Sequence, residues 1–192
     1  MSYPFNALGL SHKFISEHVK KGDFCIDGTA GKGRDTLFLS RLVGEEGKVI
    51  ALDIQPQAVE FTKTLLCENN ITWAEVYLSC HSKLSSFAEK ESVDAIMFNF
   101  GWLPGGDHNI FSRADSSIPA LKSALELLKP GGKMSLCLYY GKENGTDEKD
   151  RILTFVKELD QKEFSVLLTD FINRKGEPPI AVLITKEPGV LS

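Results

Sequence analysis

Apolar positions in this chain follow two alternating rhythms. One is the short, nearly unbroken apolar run of a buried strand; the other recurs every three or four residues, as on one face of a helix. Leu8 to Val19 reads as a helix with Leu10, Phe14 and Ile15 on one face. Phe24 to Asp27 reads as a strand, Thr36 to Val43 as a helix and Val49 to Asp53 as a second strand. Pro56 suits the first turn of a helix reaching Glu68, where Asn69 and Asn70 stop it. A third strand spans Ala74 to Leu78, and a short helical piece covers Leu84 to Ala88. The fourth strand, Val93 to Phe98, is mostly apolar, as a central parallel strand is, and Asn99 ends it.

A long loop runs from Phe100 to Arg113. Helical periodicity returns from Ile118 to Leu128 and stops at Lys129-Pro130-Gly131-Gly132. Strand five is Lys133 to Tyr139, and a polar loop from Gly141 to Thr146 leads into a helix over Glu148 to Leu159. Strands at Phe164 to Thr169 and Ile180 to Thr185 complete the pattern, and their link is short enough for antiparallel pairing. Alternating strands and helices predict an α/β fold: a seven-stranded, mostly parallel sheet with an antiparallel last strand and helices on both faces. No repeat or linker interrupts it, so residues 1–192 are expected to form a single domain. Ligands of such sheets bind beyond the carboxyl ends of the strands. That puts Asp27, Asp53, Leu78 to Ser82, Asn99 and Tyr139-Tyr140 on one rim.

The first strand-to-helix turn, Asp27-Gly28-Thr29-Ala30-Gly31-Lys32-Gly33-Arg34-Asp35-Thr36, carries the densest chemical signal. Glycines allow positive φ and close approach of backbone to a ligand. The N–H groups at a helix start favour polar or anionic ligand atoms. Asp53, at the end of the second strand, can accept hydrogen bonds from a ribose diol. An adenosine-containing cofactor fits both features. The spacing of Gly28, Gly31 and Gly33 is not that of a dinucleotide loop, and Asp27 would repel a diphosphate. Lys32 precedes Gly33 rather than Ser or Thr, so a Walker-type phosphate loop is excluded. S-adenosylmethionine carries no phosphate, and its amino group and sulfonium suit a carboxylate at Asp27.

Composition narrows the class. The 192 residues suffice for one sizeable core, and no apolar stretch has the length of a membrane span. The N-terminal residues lack the basic-then-apolar layout of a signal peptide. Cys25, Cys67, Cys80 and Cys137 form no C-x-x-C pair, so no metal site is expected and a reducing cytoplasm is the expected location. The net charge of −4 argues against a large sequence-independent grip on nucleic acid. Local cations remain for RNA: His12-Lys13, Lys20-Lys21, Lys32, Arg34, Arg113, Lys142, Arg174 and Lys175. Phe100, Trp102, Phe111 and Tyr140 could stack on an extruded base.

The acidic strand ends, the Gly-rich loop and the Lys129-Pro130-Gly131-Gly132-Lys133 turn resemble those of a class I S-adenosylmethionine-dependent methyltransferase, a Rossmann-like fold. A narrower resemblance is to a small bacterial family labelled rRNA methylases. It rests on Asp27-x-Thr29-Ala30-Gly31-x-Gly33-x-Asp35-Thr36, Asp53-Ile54-Gln55, Ser79-x-His81-Ser82, Asn99-x-Gly101-x-Leu103-Pro104-Gly105-Gly106-Asp107, and the late Asn173 with Pro178-Pro179. His108 and Tyr140-Gly141-Lys142 depart from it, where Lys and a His-Gly-His-like stretch are expected. The resemblance implies cofactor contacts from the first three segments and Asn99, with His81 and Ser82 by the adenine. It also implies modification of tRNA: methylation of the aminomethyl group on a wobble uridine, giving 5-methylaminomethyl-(2-thio)uridine, with the anticodon loop as partner. A chain with no further RNA-binding domain suits a small target of this kind, and a homodimer would supply more surface.

The residues also support an amine acceptor directly. Asn99-Phe100-Gly101-Trp102 has the spacing of the Asn-Pro-Pro-aromatic motif of amino-group methyltransferases, without its prolines. An Asn carbonyl there can accept from an attacking amine, and an aromatic can stack on a base for about 1–3 kcal/mol. Trp102, Leu103, Pro104, Gly105, Gly106 and His108 are the expected acceptor-binding residues, and Asn99, Asp107 and Tyr140 the expected catalytic ones. An alkylamine is largely protonated at neutral pH and must be neutral to attack, so a proton acceptor helps, for which Asp107, His108, Tyr139 and Tyr140 are candidates. Uridine C5 chemistry would need a cysteine nucleophile, and only Cys80 beside His81 offers a pair. Three readings stay open: a tRNA wobble-amine methyltransferase, a methyltransferase of rRNA or a small amine, and a non-catalytic adenosine-binding module.

Overall fold

The structure, a computed structural model, describes residues 4–101, 112–141 and 145–189. In chain order the elements are α1 (Ala7–Ser16), β1 (Phe24–Asp27), α2 (Arg34–Val43), β2 (Lys48–Asp53), α3 (Pro56–Glu68) and β3 (Ala74–Leu78). A 3₁₀ turn (His81–Ser86) precedes β4 (Val93–Phe100), α4 (Ala114–Leu127), β5 (Leu128–Leu138), α5 (Thr146–Lys157), β6 (Phe164–Thr169) and β7 (Ile180–Lys186). The strands form one seven-stranded sheet in the order β3-β2-β1-β4-β5-β7-β6. β1 to β5 pair in parallel, and β7 runs antiparallel between β5 and β6. Strand order reverses between β1 and β4, which opens a crevice at their carboxyl ends.

Side chains alternate across the strands and divide the core in two. Ile26, Ile96, Phe98 and Phe100 pack beneath α4 and α5, with Leu121, Leu125 and Ile152. Cys25, Ala95 and Met97 point to the other face, against Ile15 of α1 and Leu39 and Val43 of α2. Asn99 shares the parity of Ala95 and Met97, so its side chain emerges on the α1–α2 face.

Several boundaries differ from the sequence expectation. Asn99 does not end β4: it pairs with Cys137 and the following Phe100 with Leu138, because Phe100 is fully buried and carries the alternation on. The Lys129–Gly132 turn does not precede β5 but is absorbed as an irregularity within it, between the pairs Val93–Leu128 and Ala95–Lys133. Lys129 bonds both carboxylate oxygens of Asp94 there, at 2.8 Å. α4 starts before Ile118 because the Arg113 carbonyl receives the Ser116 and Ser117 N–H groups, and Pro119 sits inside the helix. α1 stops before Val19 because the Asp23 carboxylate bonds the Lys20 N–H in a turn that continues through the positive-φ Gly22. The helical piece expected at Leu84–Ala88 is the 3₁₀ turn, begun three residues earlier.

Gly28 has a packing role. A Cβ there would lie 2.1 Å from Cε1 of Phe98. The bare backbone at the start of the loop is therefore required by the ring beneath it, ahead of any ligand. Gly33, the N-cap of α2, has φ +76, and a Cβ would meet the Thr62 backbone at 2.9 Å.

Candidate functional site

A cleft of about 360 Å³ lies over the carboxyl ends of β1, β2, β4 and β5. Its walls come from the β1–α2 loop (Gly28 to Lys32, Arg34 and Asp35), from Asp53, Ile54 and Gln55 after β2, from His81, and from Asn99, Gly101, Ser112 and Tyr139. Leu8 of α1 closes one side.

The half beyond β1 and β2 is organised around Asp53. Its Oδ2 accepts from the Gly31 N–H at 2.9 Å and its Oδ1 from the Gln55 N–H at 2.9 Å. One carboxylate thus joins the two loops, and each oxygen retains a lone pair toward the cleft. The Ala30 N–H donates to the Leu52 carbonyl at 2.9 Å, and Gly31 takes φ +54. This is a fitted cradle for a nucleoside: an acidic residue with spare acceptor capacity beside a bare, left-handed backbone turn.

Asp27 differs from its expected place. It is fully buried behind the cleft, where Oδ1 accepts from the Thr29 N–H at 3.1 Å and Oδ2 from the Thr36 hydroxyl at 2.7 Å. Burial, reinforced by the neighbouring charge of Asp35, pushes its carboxyl well above the ordinary range. Its chemistry is that of a brace between loop and helix. Of Asp27 and Asp35, it is Asp35, the second residue of α2, that lines the cleft. Thr36 is likewise buried, and Gly33 forms the helix cap rather than the wall.

His81 lines the cleft edge-on to Phe98 and Phe100, with ring centroids 6.3 and 5.7 Å away, and its Nε2 lies 3.1 Å from the Ser116 hydroxyl. Burial lowers its pKa to about 4, so the ring is neutral at physiological pH. Ser82 does not reach the cleft wall; its hydroxyl donates to the Cys80 sulfur at 3.1 Å. Cys80 is therefore engaged with Ser82, and the tempting Cys80–His81 pair finds no support.

The β4–β5 half is assembled from distant parts of the chain. The Asn99 N–H donates to the Thr29 hydroxyl at 2.6 Å, and its Nδ2 donates to Asp35 Oδ2 at 2.6 Å. Asp35 Oδ1 lies 2.7 Å from His12 Nε2. Tyr139 is the tyrosine on the cleft wall, where burial, with Cys137 and Asp35 nearby, pushes its hydroxyl up to about 12 and keeps it protonated. Tyr140, an expected catalytic residue, alternates to the opposite face. It packs against the α4–α5 core with Lys149 Nζ 4.3 Å from its ring centroid. Below the cleft mouth, buried Glu148 accepts from the hydroxyls of Ser112 (2.7 Å) and Ser117 (2.5 Å), and Ser112 receives the Gly101 N–H at 2.7 Å.

Trp102, Leu103, Pro104, Gly105, Gly106, Asp107 and His108 lie outside the described residues. Sequence reasoning did not select Leu8, Ser112 or Glu148, and it marked His12 only as a candidate cation for RNA, whereas its Nε2 lies 2.7 Å from Asp35 Oδ1. Leu8, His12 and Ile15 follow helical spacing on α1, so a shared inward face was the available signal. Among the described residues, no cluster of His, Cys, Asp or Glu could hold a metal ion and no helix is long and apolar enough to cross a membrane.

Sheet order, the Gly-rich loop and the ribose-suited Asp53 together define a class I S-adenosylmethionine-dependent methyltransferase. The chain belongs to the family described as "Putative rRNA methylase", whose profile matches residues 49–185. It is 43% identical to the "putative rRNA-methylase" of Clostridium thermocellum, with 94% of this chain and 97% of that one covered and a TM-score of 0.92. A "putative methyltransferase" from Streptococcus mutans, solved in complex with SAH, is 37% identical with a TM-score of 0.86, covering 94% of this chain and 98% of that one. The chain is also 32% identical to the chloroplastic tRNA (mnm(5)s(2)U34)-methyltransferase of Arabidopsis thaliana, over 94% of this chain and 70% of that protein.

Proposed function

We propose that the enzyme methylates the amine of 5-aminomethyl-(2-thio)uridine at the wobble position of tRNA. The observation that carries this reading is Asn99. It stands at the carboxyl end of β4 on the cleft wall, with its Nδ2 committed to Asp35. Its carbonyl is left to accept from a nucleophile that carries a hydrogen, as a primary amine does. Similarity over 94% of this chain and 70% of a plant protein named for this tRNA reaction supports the choice of substrate.

S-adenosylmethionine, when bound, supplies an electrophilic methyl group. The chain's task is to hold the two reactants in line, which can account for much of the rate. Asp53 would hold the ribose hydroxyls, and Gly31, Ile54, Gln55 and His81, which line the same half of the cleft, would contact the nucleoside. Neutral His81 offers an aromatic edge without a competing charge. Asn99 would aim the amine, and the protonated Tyr139 hydroxyl on the same wall could donate to the acceptor. To Trp102, Leu103, Pro104, Gly105, Gly106 and His108, which lie outside the described residues, the family resemblance assigns acceptor binding, and to Asp107 acceptance of the amine proton. Lys32 and Arg34 on the rim meet the phosphates flanking the wobble base. The site serves an enzyme of the cytoplasm acting on the anticodon loop.

The test uses tRNA bearing 5-aminomethyluridine, methyl-labelled S-adenosylmethionine and mass spectrometry of the nucleosides. Label on the side-chain nitrogen of that nucleoside is the expected result. Strong labelling of rRNA with none on this tRNA would overturn the substrate assignment.

A further inference from the structure

His12 and Asp35 form a pair for which the proposed reaction assigns no task. Asp35 sits on the cleft wall with its side chain 6% exposed, and His12 reaches it from α1 with 18% exposure. The imidazole lies flat on Phe38, with centroids 4.0 Å apart and planes 12° from parallel. Its other face of constraint is the 2.7 Å contact from Nε2 to Asp35 Oδ1. An ionised carboxylate only accepts hydrogen bonds, so Nε2 carries the hydrogen there.

The same rule acts at the other carboxylate oxygen. A carboxamide has two nearly isosteric orientations, one offering NH₂ to a given neighbour and the other offering its carbonyl. Asp35 Oδ2, as an acceptor, admits only the orientation in which Asn99 presents Nδ2, at 2.6 Å. The Asn99 backbone is held in turn by Thr29 at 2.6 Å. With the backbone fixed and Nδ2 bonded to Asp35, Oδ1 is the carboxamide atom left for the cleft that Asn99 lines.

We infer that His12 and Asp35 are positioning residues that lock the Asn99 carboxamide with its carbonyl toward the acceptor, so that the site selects a nucleophile carrying a hydrogen to donate; this rests on the amine-methylation reading. A free carboxamide could rotate and present NH₂ to the incoming amine, donor against donor. The lock removes that orientation before substrate arrives. It also gives a role to the histidine that α1 delivers to Asp35: its contact at 2.7 Å holds the carboxylate against Asn99.

Two readouts test the lock. The first needs no activity. With asparagine selectively labelled with ¹⁵N, one carboxamide proton of Asn99 should exchange slowly with water in the wild-type protein, and Asp35→Ala should abolish that protection. The second uses the aminomethyluridine tRNA. Asp35→Asn should lower kcat by about 30-fold or more while KM for tRNA and affinity for S-adenosylhomocysteine move by about threefold at most. In Asp35→Asn one oxygen faces two donors, and the Asn99 carboxamide can turn round. The exchange D35N/N99D restores the pattern, because the new amide accepts from His12 and donates to the new carboxylate. It should recover kcat about tenfold over Asp35→Asn. His12→Ala should lower kcat in the same direction, and His12→Gln, which keeps an N–H donor, should retain most of it. Unprotected Asn99 amide protons in the wild type would overturn the lock whatever the substrate. So would a wild-type kcat in Asp35→Asn, or an exchange variant no better than Asp35→Asn. Protected protons combined with no methylated amine product would leave the lock standing and overturn the proposed reaction.

Discussion

The two halves of the cleft are built in opposite ways. The half proposed for the nucleoside is local: Asp53 bonds the Gly31 and Gln55 N–H groups, and all its partners lie in the loops after two consecutive strands. The half proposed for the acceptor is dispersed: His12, Asp35, Asn99 and Tyr139 come from α1, α2, β4 and the end of β5. One half is held by backbone donors on a single carboxylate, the other by a relay of side chains. A local cradle suits a cofactor that never changes. A relay of separate side chains allows the acceptor chemistry to be set independently of it.

The largest effect expected is on the acceptor half alone. Asn99→Ala should reduce kcat by about 10²-fold, roughly 3 kcal/mol, while cofactor affinity stays within a few-fold. Calorimetry with S-adenosylhomocysteine beside steady-state kinetics separates the two quantities, and an equal loss in both would erase the distinction between the halves. The reciprocal change, Asp53→Ala, should weaken cofactor binding by about 1–3 kcal/mol, as for a lost hydrogen bond to a charged group. Unchanged affinity in that variant would remove Asp53 from the cofactor site.

At the seam between the halves, Gly28→Ala places a Cβ 2.1 Å from the Phe98 ring. Overpacking of this kind should cost about 1–3 kcal/mol in denaturant unfolding, and Phe98→Leu should relieve part of that increment. A neutral Gly28→Ala would show that the ring moves freely. The smallest effect concerns pH. His81 titrates at about 4 in the folded protein, below its ordinary value of 6.5. The unfolded chain therefore binds the extra proton first, so this contribution to stability is complete above pH 6.5 and is lost as pH falls toward 4. Wild type should lose about 1–3 kcal/mol relative to His81→Gln across that window, by unfolding at each pH. Parallel pH profiles for the two proteins would contradict a buried, neutral ring.

Legibility in the sequence follows the same division. Apolar runs mark all seven strands, and the Gly-rich loop and Asp53, both contiguous signals, meet at the cleft as the strand pattern implies. Asp27 misled: its acidity at a strand end suggested a ligand contact, whereas the fold buries it as a brace for Thr29 and Thr36. Asn99 lines the cleft but lies within its strand rather than beyond it; a polar residue after an apolar run reads as a stop, and only cross-strand pairing with Cys137 shows otherwise. Tyr140 was chosen where Tyr139 faces the cleft, a one-residue parity that no local composition fixes. His12 carried no recognisable motif; its meaning depends on α1 packing beside α2, a purely tertiary fact.

The most direct test of this division is a crystal structure of the enzyme with S-adenosylhomocysteine. The ribose hydroxyls should lie within hydrogen-bond reach of Asp53, and the sulfur should open toward Asn99 with its carbonyl facing the space where the amine enters. A nucleoside seated away from Asp53, or a sulfur turned from Asn99, would contradict the account.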